Sequence, residues 1–231
     1  MKNITKTLIF LFILTGLLGC AHTNYIKDYN MSGKKYMFKQ YVNGNNTGAW
    51  IDLSTGSYSD KGGWVSVILT EIGEGFAEGK VREKLERTLK ADSITKSISD
   101  GVKEGLKTYY LIETVDSLSQ NPDYIVETRF NKITFSSDVY GISANMMASV
   151  RMIDRKSAKT VWENSESYRL PIKDVYISYV GGPYVRTGAS VVNLVRLLEM
   201  TDDEIKYAIN ELAKEVGFRH TETLREDIAG E

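Results

Sequence analysis

Residues Tyr124–Leu170, YIVETRFNKITFSSDVYGISANMMASVRMIDRKSAKTVWENSESYRL, decide the fold. They divide into three runs rich in β-branched and aromatic residues: Tyr124–Phe135, Ile142–Asp154 and Thr160–Leu170. In the second run Met146, Ala148, Val150 and Met152 alternate with Asn145, Met147, Ser149, Arg151 and Ile153. A period of two sends one set to a core and the other towards water. The first run alternates in part, Tyr124, Val126, Thr128 and Phe130 against Ile125, Glu127, Arg129 and Asn131. The polar link Asp154–Lys159 reads as a hairpin loop. The expectation is an antiparallel meander with one buried face.

Upstream, the period becomes helical. Val81, Leu85 and Leu89 recur at four-residue steps, as do Ile94, Ile98, Val102 and Leu106. Helices are expected near 77–91 and 93–107, with Asp92 or Ser93 capping the second. Tyr109–Val115 reads as a strand and 116–122 as a turn region. Towards the N-terminus, Tyr36–Val42 and Ala49–Leu53 read as strands around the turn signal Asn43-Gly44. Trp64–Thr70 reads first as a buried strand, with a helix start as the alternative. Towards the C-terminus, Lys173–Gly188 is aromatic and glycine-rich, an inserted hairpin or long loop. Val191–Met200 is apolar enough for a buried helix. Thr201 with Glu204 three residues on forms a capping box. It opens a last amphipathic helix carrying Ile205, Ile209, Leu212 and Val216. Residues 219–231 read as a polar tail. The expected fold class is α/β in the α+β sense, a mainly antiparallel sheet with helices packed on one face. The single domain is expected over residues 36–218.

The first nineteen residues have the three parts of a secretory signal. Lys2 and Lys6 give the positive start, Leu8–Leu14 the apolar run, and small Gly19 precedes Cys20. The run is shorter than the roughly 20 residues a membrane-spanning helix needs. Cys20 is the one cysteine of the chain, which excludes an intramolecular disulfide. Leu17-Leu18-Gly19-Cys20 resembles the lipobox of bacterial lipoproteins. The resemblance implies cleavage before Cys20, a diacylglycerol thioether and often an amide-linked palmitate-type chain on that residue, and membrane attachment through these chains. By the same resemblance Ala21, where an inner-membrane lipoprotein tends to carry Asp, implies the outer membrane of a Gram-negative envelope, on its periplasmic face. Residues 20–35 are polar and unpatterned and read as a lipidated tether, reaching roughly 50 Å when extended.

Lys+Arg number 29 against 30 Asp+Glu, a net charge of −1. Such a balance gives no basic excess for nucleic acid and no polybasic patch for anionic lipid. Gly73-Glu74-Gly75-Phe76-Ala77-Glu78-Gly79-Lys80 departs from a phosphate-binding loop. Its outer glycines are six apart rather than five, and Val81 stands where Ser or Thr would hold the metal. His22 and His220 are the only histidines and have no metal-spaced neighbours. Both read as solvated surface residues. Asp202-Asp203 is explained by the helix N-terminus it occupies. The residues therefore assign no catalytic group, no metal and no cofactor. A glycoside-hydrolase carboxylate pair, which leaves no local signature, stays open as an alternative. The candidate protein-contact residues are Tyr176, Tyr179 and Tyr184, set around Gly181-Gly182-Pro183, with Trp50 and Trp64 as further aromatics.

Three segments carry a second resemblance: Asn121–Val126, Ala148–Asp154 and Lys159–Trp162. They resemble periplasmic lipoproteins built on a TolB-N-terminal or anticodon-binding-like α/β sandwich, the CsgG, PelC and LpoB families among them. The shared pattern is a Pro-Asp-Tyr-apolar strand, a hairpin with Asp at its turn and an apolar-Trp pair on the return strand. The resemblance implies a non-catalytic accessory or scaffold component of a bacterial cell-envelope assembly that can self-associate as a homo-oligomer. A monomeric adaptor for a transporter or cell-wall enzyme is the alternative.

Overall fold

The computed structural model describes residues 23–42, 65–69, 76–138, 141–174 and 197–230. The three runs of the opening stretch form three long strands: β5 (Tyr124–Asp138), β6 (Gly141–Asp154) and β7 (Lys159–Asp174). They pair as the expected antiparallel meander. The hairpin between β6 and β7 is held by Asp154, whose Oδ2 accepts from the Ser157 N–H at 2.8 Å and from the Ser157 hydroxyl at 2.6 Å. Ala158 closes it in the left-handed region, at φ 56°. A bulge at Asn131 adds one residue between Phe130, opposite Ala148, and Lys132, opposite Met147. It lets Phe130, Ile133 and Phe135 all reach the core despite their odd spacing.

The sheet has seven strands in the order β1-β7-β6-β5-β2-β4, with β3 also on β5. Here β1 is Thr23–Asn24, β2 Lys35–Val42, β3 Val65–Leu69 and β4 Glu113–Val115. The meander is antiparallel, but β2, β3 and β4 join in parallel. One edge of β5 is shared end to end: β2 pairs with Tyr124–Phe130 and β3 with Ile133–Ser137. Segments 36–42 and 65–69 thus run collinearly, and residues 43–64 are inserted between them. The expected strand Ala49–Leu53 and the turn Asn43-Gly44 lie outside the described residues.

The Asn121–Tyr124 segment starts β5 and clamps the neighbouring chain. Asn121 takes φ 51°, in the left-handed region. The Asp123 carboxylate accepts from the Lys35 N–H at 3.0 Å while the Asp123 N–H donates to the Lys35 carbonyl at 2.8 Å. The Tyr124 hydroxyl donates to the Asn30 carbonyl at 3.0 Å, and that of Tyr36 to the Met31 carbonyl at 2.8 Å.

Helices α1 (Phe76–Thr88), α2 (Ala91–Tyr110) and α3 (Asp202–Ala229) pack on one face. The expected capping box opens α3: Thr201 accepts from the Glu204 N–H, and Glu204 accepts from the Thr201 N–H at 2.7 Å. The N-cap of α2 is Lys90, without a side-chain bond, so neither Asp92 nor Ser93 caps it. Tyr109 and Tyr110, expected in a strand, finish α2, where the Tyr109 ring packs at a tilt against Phe218 of α3 with centroids 5.8 Å apart. The helix then stops at Leu111, φ 52°.

Both domain boundaries differ from the sequence reading. The residues expected as tether belong to the fold: Thr23 and Asn24 pair with Glu163 and Trp162, and Ile26 and Met31 are buried. Two isolated apolar residues in a polar stretch give no periodic signal. The expected polar tail is the last turns of α3, where His220, Thr221 and Leu224 are buried. Trp162, 1% exposed, donates its indole N–H to Asp227 at 2.7 Å, fixing that end of α3 to the sheet. Removing the donor with Trp162→Phe is expected to cost about 2 kcal/mol, read from the urea midpoint.

Candidate functional site

Pairing register brings together, on the sheet face opposite the helices, residues that are far apart in sequence. Val115, Met37, Ile125 and Ile153 form one row across four strands. The next row is Lys39, Glu127, Arg151 and Glu163, alternating in sign. Then come Tyr41, Arg129, Ser149 and Ser165, and beyond the bulge Lys132, Met147 and Ser167. Their strand neighbours Val126, Thr128, Val150 and Val161 are buried against the helices. Among the described residues no helix covers this second face, and Arg129, Asn145, Met147, Ser167 and Arg169 are exposed on it.

Cross-strand hydrogen bonds hold the face in a fixed pattern. Asn131 donates to the Ser149 hydroxyl at 2.6 Å, and the Ser149 and Ser165 hydroxyls lie 2.9 Å apart. Ser167 donates to Asn145 at 2.6 Å, and Arg169 to Ser143 at 2.9 Å. At the centre, Arg151 donates through Nε to Glu127 at 3.0 Å and makes a second, shorter bond through Nη2. Tyr41 donates to the other Glu127 oxygen at 3.1 Å. The bond to Glu127 raises the Arg151 pKa. Glu127 is only 13% exposed, so removing its cation leaves a largely desolvated carboxylate. Arg151→Met is therefore expected to cost roughly 2 kcal/mol, with the loss shrinking when Glu127→Gln is added. A double-mutant cycle in urea checks it.

A second polar cluster lies under β7. His220 of α3 is fully buried, which corrects the solvated reading. Asn164 donates one hydrogen to His220 Nδ1 at 3.3 Å and another to Glu166 at 2.8 Å. Tyr168 donates to the other Glu166 oxygen and meets the His220 ring edge-on at 5.4 Å. Burial pushes the His220 pKa down to about 4, against smaller opposing effects of Glu166 and the Ala148 backbone. His220 and Asn164 are buried while Glu166 and Tyr168 are half-buried, and these contacts describe a helix-to-sheet joint.

A groove of about 640 Å³ runs between α2 and α3, lined by Asp100, Lys103, Glu104, Lys107, Glu211 and Lys214 among others. A Lys214–Glu104 ion pair at 2.6 Å bridges it, and its charges are mixed. Among the described residues no group of His, Cys, Asp or Glu is arranged to hold a metal ion. No described helix is long and apolar enough to cross a membrane.

The sequence-derived candidates Cys20, Tyr176, Tyr179 and Tyr184 lie outside the described residues, as do Trp50 and Trp64. The open face itself carries no local motif. Its rows exist only once register is known, though the outward half of the alternation in β6 supplies one member of each.

No family model and no curated protein matches the chain. Solved structures similar to it include a Xanthomonas campestris protein of the DUF330 family (10% identity, 86% of this chain and 89% of that one, TM-score 0.40). Another is the PelC dodecamer of Paraburkholderia phytofirmans (12% identity, 72% and 86%, TM-score 0.30). A third is a candidate lipoprotein of Caulobacter crescentus (11% identity, 60% and 98%, TM-score 0.24).

Proposed function

We propose that this chain is a non-catalytic accessory or scaffold component of a bacterial cell envelope, anchored by acyl chains on Cys20. It uses the open face of its sheet as a protein-contact surface. The carrying observation is that face: four strands wide, covered by no described helix, and locked by cross-strand hydrogen bonds into a fixed pattern of charge and hydroxyl groups. A rigid polar surface with a central charge pair and one protruding methionine gives specificity at small cost in side-chain ordering. The lipobox-like Leu17–Cys20 supports the anchor, and the outer membrane is the destination that Ala21 favours. The segment with Tyr176, Tyr179 and Tyr184, which follows β7 in sequence, is the second candidate contact surface in this reading.

The test is the native mass of the detergent-extracted protein, alone and with Arg129→Glu and Met147→Asp combined. Both residues are exposed, so the pair should shift stability by no more than about 0.5 kcal/mol each. A multiple of the monomer that falls to the monomer in the double variant supports a self-assembled scaffold. A monomer that loses one defined cross-linked envelope partner in the variant supports the adaptor form. An assembly unaffected by the pair but lost with Tyr179→Asp and Tyr184→Asp removes the sheet face from the proposal. Mass spectrometry of the N-terminal peptide tests the anchor, and an unmodified Cys20 would refute it.

A further inference from the structure

We infer that the anchor holds the β1 edge of the sheet down on the lipid surface, with Tyr25 in the headgroup layer and the open face turned sideways along the membrane. This rests on the reading of Cys20 as the acylated residue. Its structural basis is how early the fold begins. Thr23 already pairs with Glu163 and Asn24 with Trp162, and the Tyr25 N–H donates to the Val161 carbonyl at 2.9 Å. Ile26 is then buried in the core, so this entry cannot peel away without exposing it. Between Cys20 and Thr23 lie three Cα steps, at most about 11 Å. The domain has no long leash, and its β1 edge must stay close to the glycerol that bears the chains.

That edge is suited to the headgroup region. Tyr25, five residues after Cys20, is 62% exposed although aromatic. An aromatic ring with a polar tip is the side chain favoured at a membrane–water boundary. Exposed Lys27 and Asp28 follow it, balanced in charge, so the contact needs no anionic lipid. The strand order then sets the orientation. With β1 at the bilayer and strands lying along it, β7, β6, β5, β2 and β4 rise in steps of about 4.8 Å, placing β4 roughly 24 Å above β1. A sheet standing on its edge presents the face that no described helix covers laterally, where other membrane-held proteins lie.

The experiment places p-benzoylphenylalanine at position 25 or, as the far-side control, at 118. Leu118 follows β4 and is 49% exposed. The protein is expressed from the full chain and reconstituted in vesicles of phosphatidylethanolamine and phosphatidylglycerol. In parallel, the chain starting at Cys20 is coupled there to a maleimide lipid. After irradiation, lipid adducts are counted by mass spectrometry. The expected result is at least tenfold more lipid adduct at 25 than at 118 in both preparations. Equal yields at the two positions, or protein–protein adducts in place of lipid at 25, would overturn the orientation. The mass of the Cys20 peptide from the full-chain preparation reports separately on acylation. The maleimide preparation tests the orientation even where that modification is missing.

Discussion

Valine at Gly217 is expected to leave the domain unfolded, or to lower its stability by more than about 3 kcal/mol. Gly217 of α3 and Gly101 of α2 face each other where the two helices cross. A Cβ on Gly217 would stand 2.0 Å from the Ile98 carbonyl oxygen, and one on Gly101 would stand 1.9 Å from the Lys214 carbonyl oxygen. Each glycine thus meets the backbone one turn before the other, an arrangement that a side chain on either helix would pry open. One turn on, a Cβ on Gly105 would stand 1.8 Å from the Thr221 hydroxyl. The obstacles at the crossing are backbone atoms of two long helices, so no rotamer change relieves them. Alanine separates this from helix propensity by sign. In an unconstrained helix Gly→Ala stabilises by about 1 kcal/mol, whereas at 101 or 217 it is expected to destabilise by about 2 kcal/mol or more. Gly33→Ala is the useful contrast. Nothing lies within 4 Å of its Cβ position, but its φ is +66°. There the cost should be only about 1 kcal/mol, from the left-handed backbone alone. Urea midpoints for the four variants check the set. A Gly217→Ala protein as stable as its parent would show that the helices do not cross this closely.

The meander was legible because alternation is local: Met146 to Met152 announce their buried face without reference to any other strand. The two helical repeats and the Thr201 capping box were legible for the same reason. What escaped was non-local. The parallel seating of β2 and β3 end to end on β5 joins residues roughly 90 and 70 positions apart, as Tyr36 with Tyr124 and Val67 with Phe135, and no turn signal announces it. The boundaries escaped because the buried residues beyond them are isolated or polar. Ile26 and Met31 sit alone among polar neighbours, and His220 and Thr221 are polar side chains that the fold places in its interior. The candidate surface was half legible. The outward set of β6 could be read, but the charge row Lys39-Glu127-Arg151-Glu163 is created by register across four strands.

Lowering the pH from about 6.5 to about 4 is expected to remove roughly 3 kcal/mol of stability through His220 alone. Its ring is wholly buried between α3 and β7, and desolvation holds its pKa near 4 against an ordinary 6.5. The Asn164 hydrogen bond to Nδ1 specifies the neutral ring with its proton on Nε2, a form in which Nδ1 can accept. Glu166 is the one carboxylate in the cluster and favours the charged ring, while the Arg219 guanidinium lies over the Tyr168 ring. Burial prevails because neither Asn164 nor Tyr168 can compensate a cation there. The sign follows from linkage. Between pH 6.5 and 4 the unfolded histidine takes up a proton and the folded one does not, so unfolding is favoured progressively as pH falls. The full contribution is present above about 6.5. At 1.36 kcal/mol per unit, the interval amounts to roughly 3 kcal/mol. Half-buried Asp154 and Asp202, whose pKa values are lowered by Ser157 and Arg87, also lose stabilising contacts in acid, mostly below this window. Their effect is common to parent and variant. His220→Leu keeps the volume and removes the titration, so its stability curve should stay flatter than the parent's from pH 6.5 to 4 by about that amount. Parallel curves would mean that the ring is protonated, or reached by water, in the folded protein. A steeper fall in the variant would reverse the assigned sign.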